Sequence, residues 1–356
     1  ISPASDSQPR QPGPFDPPLK GVRVLEITTL IAGPTAGRLL ADLGADVIKF
    51  EPLDGDMSRP IGRPYFFNLN PHKRSMSANT RTPEGQEVAQ KVVATADVLL
   101  ANMRPGATER MGIGPEVLET LNPHIIETHV TGYGWRGPYA HRPGIDPLAQ
   151  ALMGLQRAQG GPGNSPVFPA QLAPTDFTTG AMGALGTILA LFVRERTGVV
   201  QRVDSNLLNG GIILSSAWFT RYAGRPTRRL ADKGQYGLDA FHRLYQAHDG
   251  WIYVVAETPA ERLALCRALD CEAVSRAEAD VPADCHPAET SPAQALAQRF
   301  AGLTLTESLA RLQKAGIPCA PAVEGHSEIF LDDPHAVAHD MIVVHQHPVI
   351  GRLRLA

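Results

Sequence analysis

The chain has 356 residues, of which 43% are hydrophobic, and its formal net charge is −3. This length suits one large domain and one smaller domain better than a single compact core. The small net charge argues against a nucleic-acid partner, because nucleic acids select strongly basic surfaces. The four cysteines form no C-x-x-C pair, which predicts free thiols in a reducing cytoplasm rather than disulfides or a zinc site.

The first predicted feature is a flexible linker. Residues 1–20 are rich in proline, serine and aspartate and show no apolar period, which is typical of linkers.

Residues 21–52 predict a strand, a turn, a helix and a second strand. A β-branched run stops at Gly33-Pro34, an amphipathic stretch follows, and residues 45–49 start a new strand. Such a unit opens a parallel α/β sheet, and open α/β sheets bind ligands at the carboxyl ends of their strands. The motif G-x-G-x-x-G is absent at this position, which argues against NAD or FAD as a ligand.

The alternation of helices and strands continues along the chain. Thr82, Pro83 and Glu84 supply a capping hydroxyl, a proline at the first helical position and an early negative charge, so they predict a helix to about residue 96. Apolar runs predict strands at 97–100, 125–130, 199–203 and 251–255. Helices are predicted at 176–196, 207–222, 259–269, 291–301 and 305–315. The uncharged segment 177–193 is short for a bilayer span, so we expect a buried helix and no membrane partner.

Motifs that stand in a fixed order resemble the class III CoA-transferases, the family of the formyl-CoA and carnitine CoA-transferases. The most specific is GPTAGRLLADLGADVIKFEP at residues 33–52. Six further motifs begin at Asn70 (NPHKRS), Asn102 (NMRPG), Gly132 (GYG, then GPY), Arg142 (RPGID), Asp176 (DFTTG) and Arg194 (RERTG). The resemblance extends from Gly21 to about Gly351, and alpha-methylacyl-CoA racemase belongs to the same group.

The resemblance implies a Rossmann-like open parallel sheet in a large CoA-binding domain at residues 21–225. It also implies a smaller α/β domain at 226–325 and a segment at 326–356 that returns to the large domain. Family members continue past this point and form interlocked dimers. We therefore expect an apparently truncated chain, either a homodimer or one that pairs with a second copy in a longer fused protein.

The resemblance further implies that Asp176 is the catalytic nucleophile of a CoA-transferase. In the family this aspartate attacks an acyl-CoA thioester, and CoA thiolate then attacks the resulting anhydride to leave an aspartyl-CoA thioester. We expect free N–H groups of the following helix, with Thr178 and Thr179, to bind the developing oxyanion. From the residues alone, without the surrounding motifs, the favoured interpretation of Asp176 is a helix N-cap, worth about 1 kcal/mol.

Coenzyme A is the expected co-substrate, with no permanently bound cofactor and no metal. Arg81 and Arg104 are the best phosphate partners, because a guanidinium group binds phosphate bidentately, and Lys73 and Arg74 are expected at the rim. By position, the family's CoA path comprises Ile31, Ala32, Ala78, Asn79, Thr80, Arg81, Asn102, Met103, Arg104, Arg110, Pro143, Gly144, Ile145 and Asp146. The chain departs from some family members at Pro52 and Pro143, where those proteins carry a basic residue.

Two alternative functions remain open. A racemase needs a histidine paired with the aspartate to exchange a proton, and its position is held here by Ile145, which cannot move a proton. The other alternative is a catalytically silent half of a fused two-copy transferase.

The remaining sequence features predict less. Residues 232–237 contain glycine and are expected to close over the active site. Leu238, Ala240 and Phe241 indicate an acyl group less polar than oxalate. The histidines His335, His339, His345 and His347 lack a metalloprotease pattern and are predicted to lie on the surface.

Overall fold

The computed structural model describes residues 16–61, 63–161, 163–168, 172–225, 231, 234–272, 274, 291–324 and 329–355. These residues group into two compact units. The first contains the residues up to Ala149 together with Leu172–Ser216, and the second contains Gln150–Gln171 and the residues from Ala217 onward.

The first unit is built on a six-stranded parallel sheet. Its order is β3-β2-β1-β4-β5-β6, so the chain adds strands to one side of β1 and then, from β4, to the other. The strands are β1 (Arg23–Ile27), β2 (Asp46–Glu51), β3 (Arg74–Ser77), β4 (Val98–Ala101), β5 (Ile126–Thr131) and β6 (Val203–Asn206). This topology confirms the predicted open parallel sheet.

Helices cover both faces of the sheet. Because successive strand residues point to opposite faces, Val24 joins a core with α1 and α9, while Leu25 joins a second core with α4 and α6. The helices are α1 (Ala32–Asp42), α2 (Ser58–Ile61), α3 (Arg63–Leu69), α4 (Pro83–Val93), α5 (Ala107–Arg110), α6 (Pro115–Leu121), α7 (Asp146–Leu152), α8 (Leu155–Gly160), α9 (Pro174–Thr197) and α10 (Leu207–Leu214). Helix α7 crosses the boundary between the units, and α8 lies in the second.

Two predicted elements differ from the structure, and one observed strand was not predicted. The strand expected at 199–203 begins only at Val203, where pairing with β5 starts, and Val199 is exposed. The helix expected at 207–222 ends at Leu214, with a short 3₁₀ turn at Ser216–Trp218. Strand β3 was not predicted, because its four residues are exposed and lack an apolar run.

Helix α9 differs from its prediction on one side. Gly180, Gly183 and Thr187 are buried within the unit, but Leu185 and Leu189 are exposed. The prediction of a buried helix is therefore right for only one face. By length and composition, α9 is also the one helix of the described residues that is long and apolar enough to cross a membrane.

The second unit has its own sheet and core. Its antiparallel sheet has the order β10-β9-β8-β7, and Phe241, Ile252 and Leu265 are fully buried among its elements. The strands are β7 (Gly237–Asp239), β8 (His242–Ala247), β9 (Gly250–Val255) and β10 (Cys319–Ala322), and β11 (Val343–His347) pairs with β12 (Gly351–Leu355). The helices are α11 (Pro259–Ala268), α12 (Ser291–Ala301), α13 (Leu305–Lys314) and α14 (Pro334–Ala338).

The units do not have the domain bounds expected from the sequence. The described residues between 150 and 171 and between 329 and 355 group with the second unit, whereas the sequence assigned both segments to the large domain. Within the predicted linker, Leu19 is buried and its N–H donates to the carbonyl of Leu43, so the packed chain begins before Gly21. Residues 1–15 lie outside the described residues.

Candidate active site

Asp176 is the third residue of α9, so it lies inside the first helical turn rather than before it. The residue at the N-cap position, Ala173, offers no side-chain hydrogen bond, and Pro174 has no N–H. The N–H groups of Thr175 and Asp176 therefore need acceptors from outside the helix.

Asp146, the first residue of α7, supplies that acceptor. Its Oδ1 accepts from the N–H of Thr175 at 2.8 Å and from the N–H of Asp176 at 3.2 Å. It also accepts a short hydrogen bond from the Thr175 hydroxyl. Asp146 is only 3% exposed, and Thr175 is fully buried. The prediction that free N–H groups at this helix end bind an oxyanion is therefore wrong for the N–H groups of Thr175 and Asp176, because a carboxylate already occupies them.

The two threonines expected to assist are also engaged. The Thr178 hydroxyl donates to the carbonyl of Pro174 at 2.8 Å, and the Thr179 hydroxyl donates to the carbonyl of Asn206 at 3.2 Å. The first bond lies within α9, and the second joins α9 to Asn206, the residue that caps α10. The threonines of this motif thus stabilise the helix start.

The environment of Asp176 favours its neutral form. Burial, followed by the negative charge of Asp146, raises the pKa of Asp176 to about 7. Both forms are then present near neutral pH, and the ionised form is held without the solvation it has in water. A carboxyl group in this condition is a candidate nucleophile or general base.

Close packing brings α9 against the start of α1 one helical turn after Asp176. A Cβ on Gly180, one turn after Asp176, would lie 2.4 Å from the carbonyl oxygen of Ala32 and 2.6 Å from Cβ of Thr35. Only a residue without a side chain permits this approach. Ala32 is the first residue of α1, and the predicted CoA path begins at Ile31 and Ala32.

Three segments of the predicted CoA path share one edge of the sheet. Residues 28–32, 78–81 and 102–104 follow the carboxyl ends of β1, β3 and β4, which run parallel. Strands β1 and β4 are neighbours at the point where the strand order reverses, which is where open α/β sheets bind ligands. The structure therefore brings these predicted residues together along one edge of the sheet.

The Asn102 side chain binds the backbone of the turn after β1. Its side-chain amide donates to the carbonyl of Thr29 at 2.8 Å, and its Oδ1 accepts from the Thr29 N–H at 3.0 Å. Leu30, the residue after Thr29, has a φ of 65°. Residues other than glycine adopt this left-handed conformation only at an energetic cost. Asn102 thus fixes the turn that leads into α1.

The predicted phosphate partners are available. Arg81, Arg104 and Arg110 are exposed, and none of them forms an ion pair with another described residue. Met103 packs partly into the core, and Asn79 accepts from the N–H of Arg81 at 3.2 Å. Contact of these arginines with phosphate stays a prediction.

The segment 143–146 contains residues with different surroundings. Gly144 lies against Gly132, since a Cβ on Gly144 would be 2.7 Å from the Gly132 Cα. Ile145 is 50% exposed, whereas Asp146 is buried. The side chain of Asp146 therefore faces α9, and its contact with a ligand stays a prediction.

The expected rim residues Lys73 and Arg74 are engaged elsewhere. The Lys73 ammonium is buried, 2.8 Å from Glu26 Oε2 and 2.9 Å from the carbonyl of Pro34, and burial lowers its pKa to about 8. Arg74 pairs with Asp46 at 2.6 Å at the amino end of β3, the opposite edge of the sheet. Their prediction as rim residues is wrong.

The sequence analysis missed the buried charge cluster that holds Lys73. Lys49 lies 2.8 Å from Asp56 and 3.3 Å from Glu26, so two lysines and two acids are buried together below the turn after β1. Lys49 also donates to the carbonyl of Thr28 at 2.9 Å. A lysine inside the apolar run VIKFE was the available signal, because such a residue needs a buried partner.

The other predicted candidates fall in the second unit. Ala240 and Phe241 are fully buried in its core, so they are not available to select a substrate, while Leu238 is 36% exposed. Residues 232 and 233 of the expected loop lie outside the described residues. His335 and His339 are exposed with ring centroids 4.3 Å apart, and no described group of three or more side chains is arranged to hold a metal.

Comparisons with known proteins give consistent results. A family model described as CoA-transferase family III matches residues 19–356. The succinyl-CoA:glutarate CoA-transferase of Mus musculus is 30% identical over 353 residues, which cover 94% of this chain and 78% of that enzyme. The beta subunit of the succinyl-CoA–L-malate CoA-transferase of Chloroflexus aurantiacus is 37% identical over 251 residues, 68% of this chain and 62% of that subunit.

A solved structure agrees with the fold. The crystal structure of a CAIB/BAIF family protein from Brucella suis superposes with a TM-score of 0.78 at 30% identity. The match covers 92% of this chain and 89% of that one.

Proposed function

The chain belongs to CoA-transferase family III, and on that premise we propose that it moves CoA from an acyl-CoA donor to a carboxylic acid through a thioester on Asp176. The observation that carries the proposal is the state of Asp176. It lies in the first turn of α9, one helical turn before the contact with Ala32, and burial raises its pKa to about 7.

The proposed reaction consists of successive acyl substitutions that first load CoA onto the Asp176 carboxyl group and then unload it. The ionised Asp176 attacks the donor thioester, which gives a mixed anhydride and releases CoA thiolate. The thiolate attacks the aspartyl carbonyl of the anhydride, which leaves an aspartyl-CoA thioester and frees the donor acid. An acceptor carboxylate then repeats these steps in reverse. Each exchange replaces one difficult substitution by two easier ones.

The fold supports this chemistry by positioning. The hydrogen bonds from Asp146 fix the backbone at Asp176, and Asn102 fixes the turn before Ile31. We propose that CoA follows the sheet edge formed by the segments after β1, β3 and β4, with its phosphates near Arg81 and Arg104. A reacting group held close to its target gains rate because less orientational freedom is lost in the transition state.

We propose succinyl-CoA as the donor and a dicarboxylic acid as the acceptor. The support is the names of the similar enzymes, which act with succinyl-CoA on glutarate or L-malate. The racemase alternative gains no support from the structure, since exposed Ile145 offers no proton-transfer group beside Asp146.

We also propose that the chain acts as a dimer. Helices α9 and α10 pack on each other, and both expose large apolar side chains in the single chain. These side chains are Leu185, Leu189, Phe192, Ile212, Ile213 and Leu214. An apolar surface of this kind is typical of an interaction site.

Intact-protein mass spectrometry after incubation with succinyl-CoA tests the covalent step. We expect an adduct of the mass of CoA less one water, labile to hydroxylamine, on the wild type and on the surface variant Asp42→Asn. Asp176→Ala should show none. An adduct that survives Asp176→Ala, or the absence of any adduct on the folded wild type with every acyl-CoA offered, would contradict the proposed intermediate.

A further inference from the structure

The start of α9 depends on a charged group that is distant in sequence. Asp146 stands 30 residues before Asp176, yet its Oδ1 binds both N–H groups that Pro174 and Ala173 leave without a local cap. A serine or asparagine oxygen would satisfy the same donors, since uncharged side chains are good helix caps. The carboxylate therefore brings a charge that capping does not require.

This charge acts against the ionised form of Asp176. Asp146 is buried, and its negative charge opposes ionisation of Asp176 beside it. Two carboxylates in a poorly solvated site repel each other more strongly than in water. A charge that destabilises the Asp176 carboxylate favours any reaction that consumes this carboxylate.

We propose that Asp146 is a positioning residue whose fixed negative charge destabilises the free Asp176 carboxylate and so favours its conversion into the neutral aspartyl-CoA thioester. The inference rests on the proposed role of Asp176 as the nucleophile.

The balance of the loading step shows why. The Asp176 carboxylate and an acyl-CoA become an aspartyl-CoA thioester and the carboxylate of the donor acid. One C–S bond breaks in the donor and one forms at Asp176, while an oxygen of Asp176 leaves with the donor acyl group. The negative charge thus moves from a half-buried side chain next to Asp146 to an acid that is free to enter water. Loading relieves the same repulsion that protonation relieves.

Other charges on the described elements around α9 do not replace Asp146. Helix α10 carries no charged residue, and the charged residues of α1, Arg38 and Asp42, lie in its second half and pair with each other. On β5, Glu127 and His129 bind each other. They alternate along the strand with Thr128 and Val130, which face α9. On β6, Asp204 accepts from the N–H of Trp135.

The test compares Asp146→Asn with the wild type, because asparagine keeps an oxygen acceptor and removes the charge. Two quantities are measured with succinyl-CoA: the pH profile of single-turnover loading, and the equilibrium ratio of loaded to free enzyme at pH 8 with fixed succinyl-CoA and succinate. For the wild type we expect an acid limb near pH 7, where Asp176 ionises. In Asp146→Asn we expect this limb at lower pH, and the loaded-to-free ratio should fall about tenfold for each pH unit by which the limb moves.

Further variants distinguish the effect of the Asp146 charge from the effect of its hydrogen bonds to the start of α9. Asp146→Ser offers a second uncharged acceptor if asparagine disturbs the fold, and thermal melting reports whether each variant is folded. Asp42→Asn removes a surface charge and should leave both quantities unchanged. A folded Asp146→Asn or Asp146→Ser variant with the wild-type limb and ratio overturns the inference, and so does reduced loading with an unmoved limb, which indicates a cap alone. A wild type that never loads contradicts the proposed function itself.

Discussion

At the scale of single residues, the site is dominated by one carboxyl group that the protein holds in an unfavourable state. The folded-state pKa of Asp176 is about 7, well above the value of 3.8 for an unperturbed aspartate. The folded protein therefore binds this proton more tightly than the unfolded chain. The resulting stability is fully present below about pH 4 and is lost as the pH rises through 7.

We expect Asp176→Asn to stabilise the protein at pH 8, because it removes the ionised group while keeping the shape of the side chain. The gain in the free energy of unfolding should be about 2–4 kcal/mol at pH 8 and should vanish near pH 4. Thermal or urea denaturation across this pH range measures it. An equal difference between the two proteins at pH 4 and pH 8 would show that Asp176 has an ordinary pKa.

At the scale of elements, α9 and α1 approach each other more closely than side chains normally permit. Gly180 faces the carbonyl of Ala32, and Gly210 on α10 faces the Thr179 hydroxyl, where a Cβ would be 2.3 Å away. The small residues of α9 thus let backbones, rather than side chains, set the position of Asp176 relative to the turn after β1.

Gly180→Ala should weaken both folding and CoA loading. The added methyl group lies 2.4 Å from a backbone oxygen, so α1 or α9 must shift, at a cost of about 1–3 kcal/mol. Gly183→Ala is the matched control, because its Cβ meets a side-chain methyl group of Val130 at 3.0 Å and makes only ordinary contacts with Ala36 at 3.7 Å and Ser205 at 3.8 Å. Denaturation and succinyl-CoA loading of the two variants measure the difference. Equal effects of both substitutions would show that the contact with Ala32 is unimportant.

At the scale of the whole molecule, α9 and α10 expose an apolar surface that a second copy of the chain would bury. Leu189 is 55% exposed and Phe192 is 56% exposed on a helix whose opposite side is buried. Burial of such side chains against a second copy stabilises an assembly by about 25 cal/mol for each Å² of apolar surface removed from water.

Leu189→Glu should weaken self-association, because it places a charge in the proposed interface at a side chain that is already 55% exposed in the single chain. Sedimentation velocity over a range of concentrations measures the monomer fraction. Lys91→Glu is the control, since Lys91 lies on the surface of α4 and pairs only with Glu87 among the described residues. A Leu189→Glu protein that associates like the wild type would place the interface elsewhere.

The order of the elements and the candidate nucleophile could be predicted from the amino-acid sequence. Apolar period and capping residues predicted β1, α4, β9 and α13 closely, because these signals are local. The motif around Asp176 identified the residue, since its neighbours in the chain carry the resemblance. The strand prediction at residues 199–202 was wrong, because a β-branched run forms a strand only where a neighbouring strand is available to pair with it.

The contacts that position the candidate site could be seen only in the folded chain. Nothing local to Asp146 indicates that its carboxylate caps α9 or acts on Asp176, because the contact joins residues 30 positions apart. Lys73 looked like a surface cation until the fold buried it against Glu26, which is 47 positions away. The free energy of a charge depends on its solvation and on the charges that surround it, and both are properties of the folded chain rather than of the sequence around one residue.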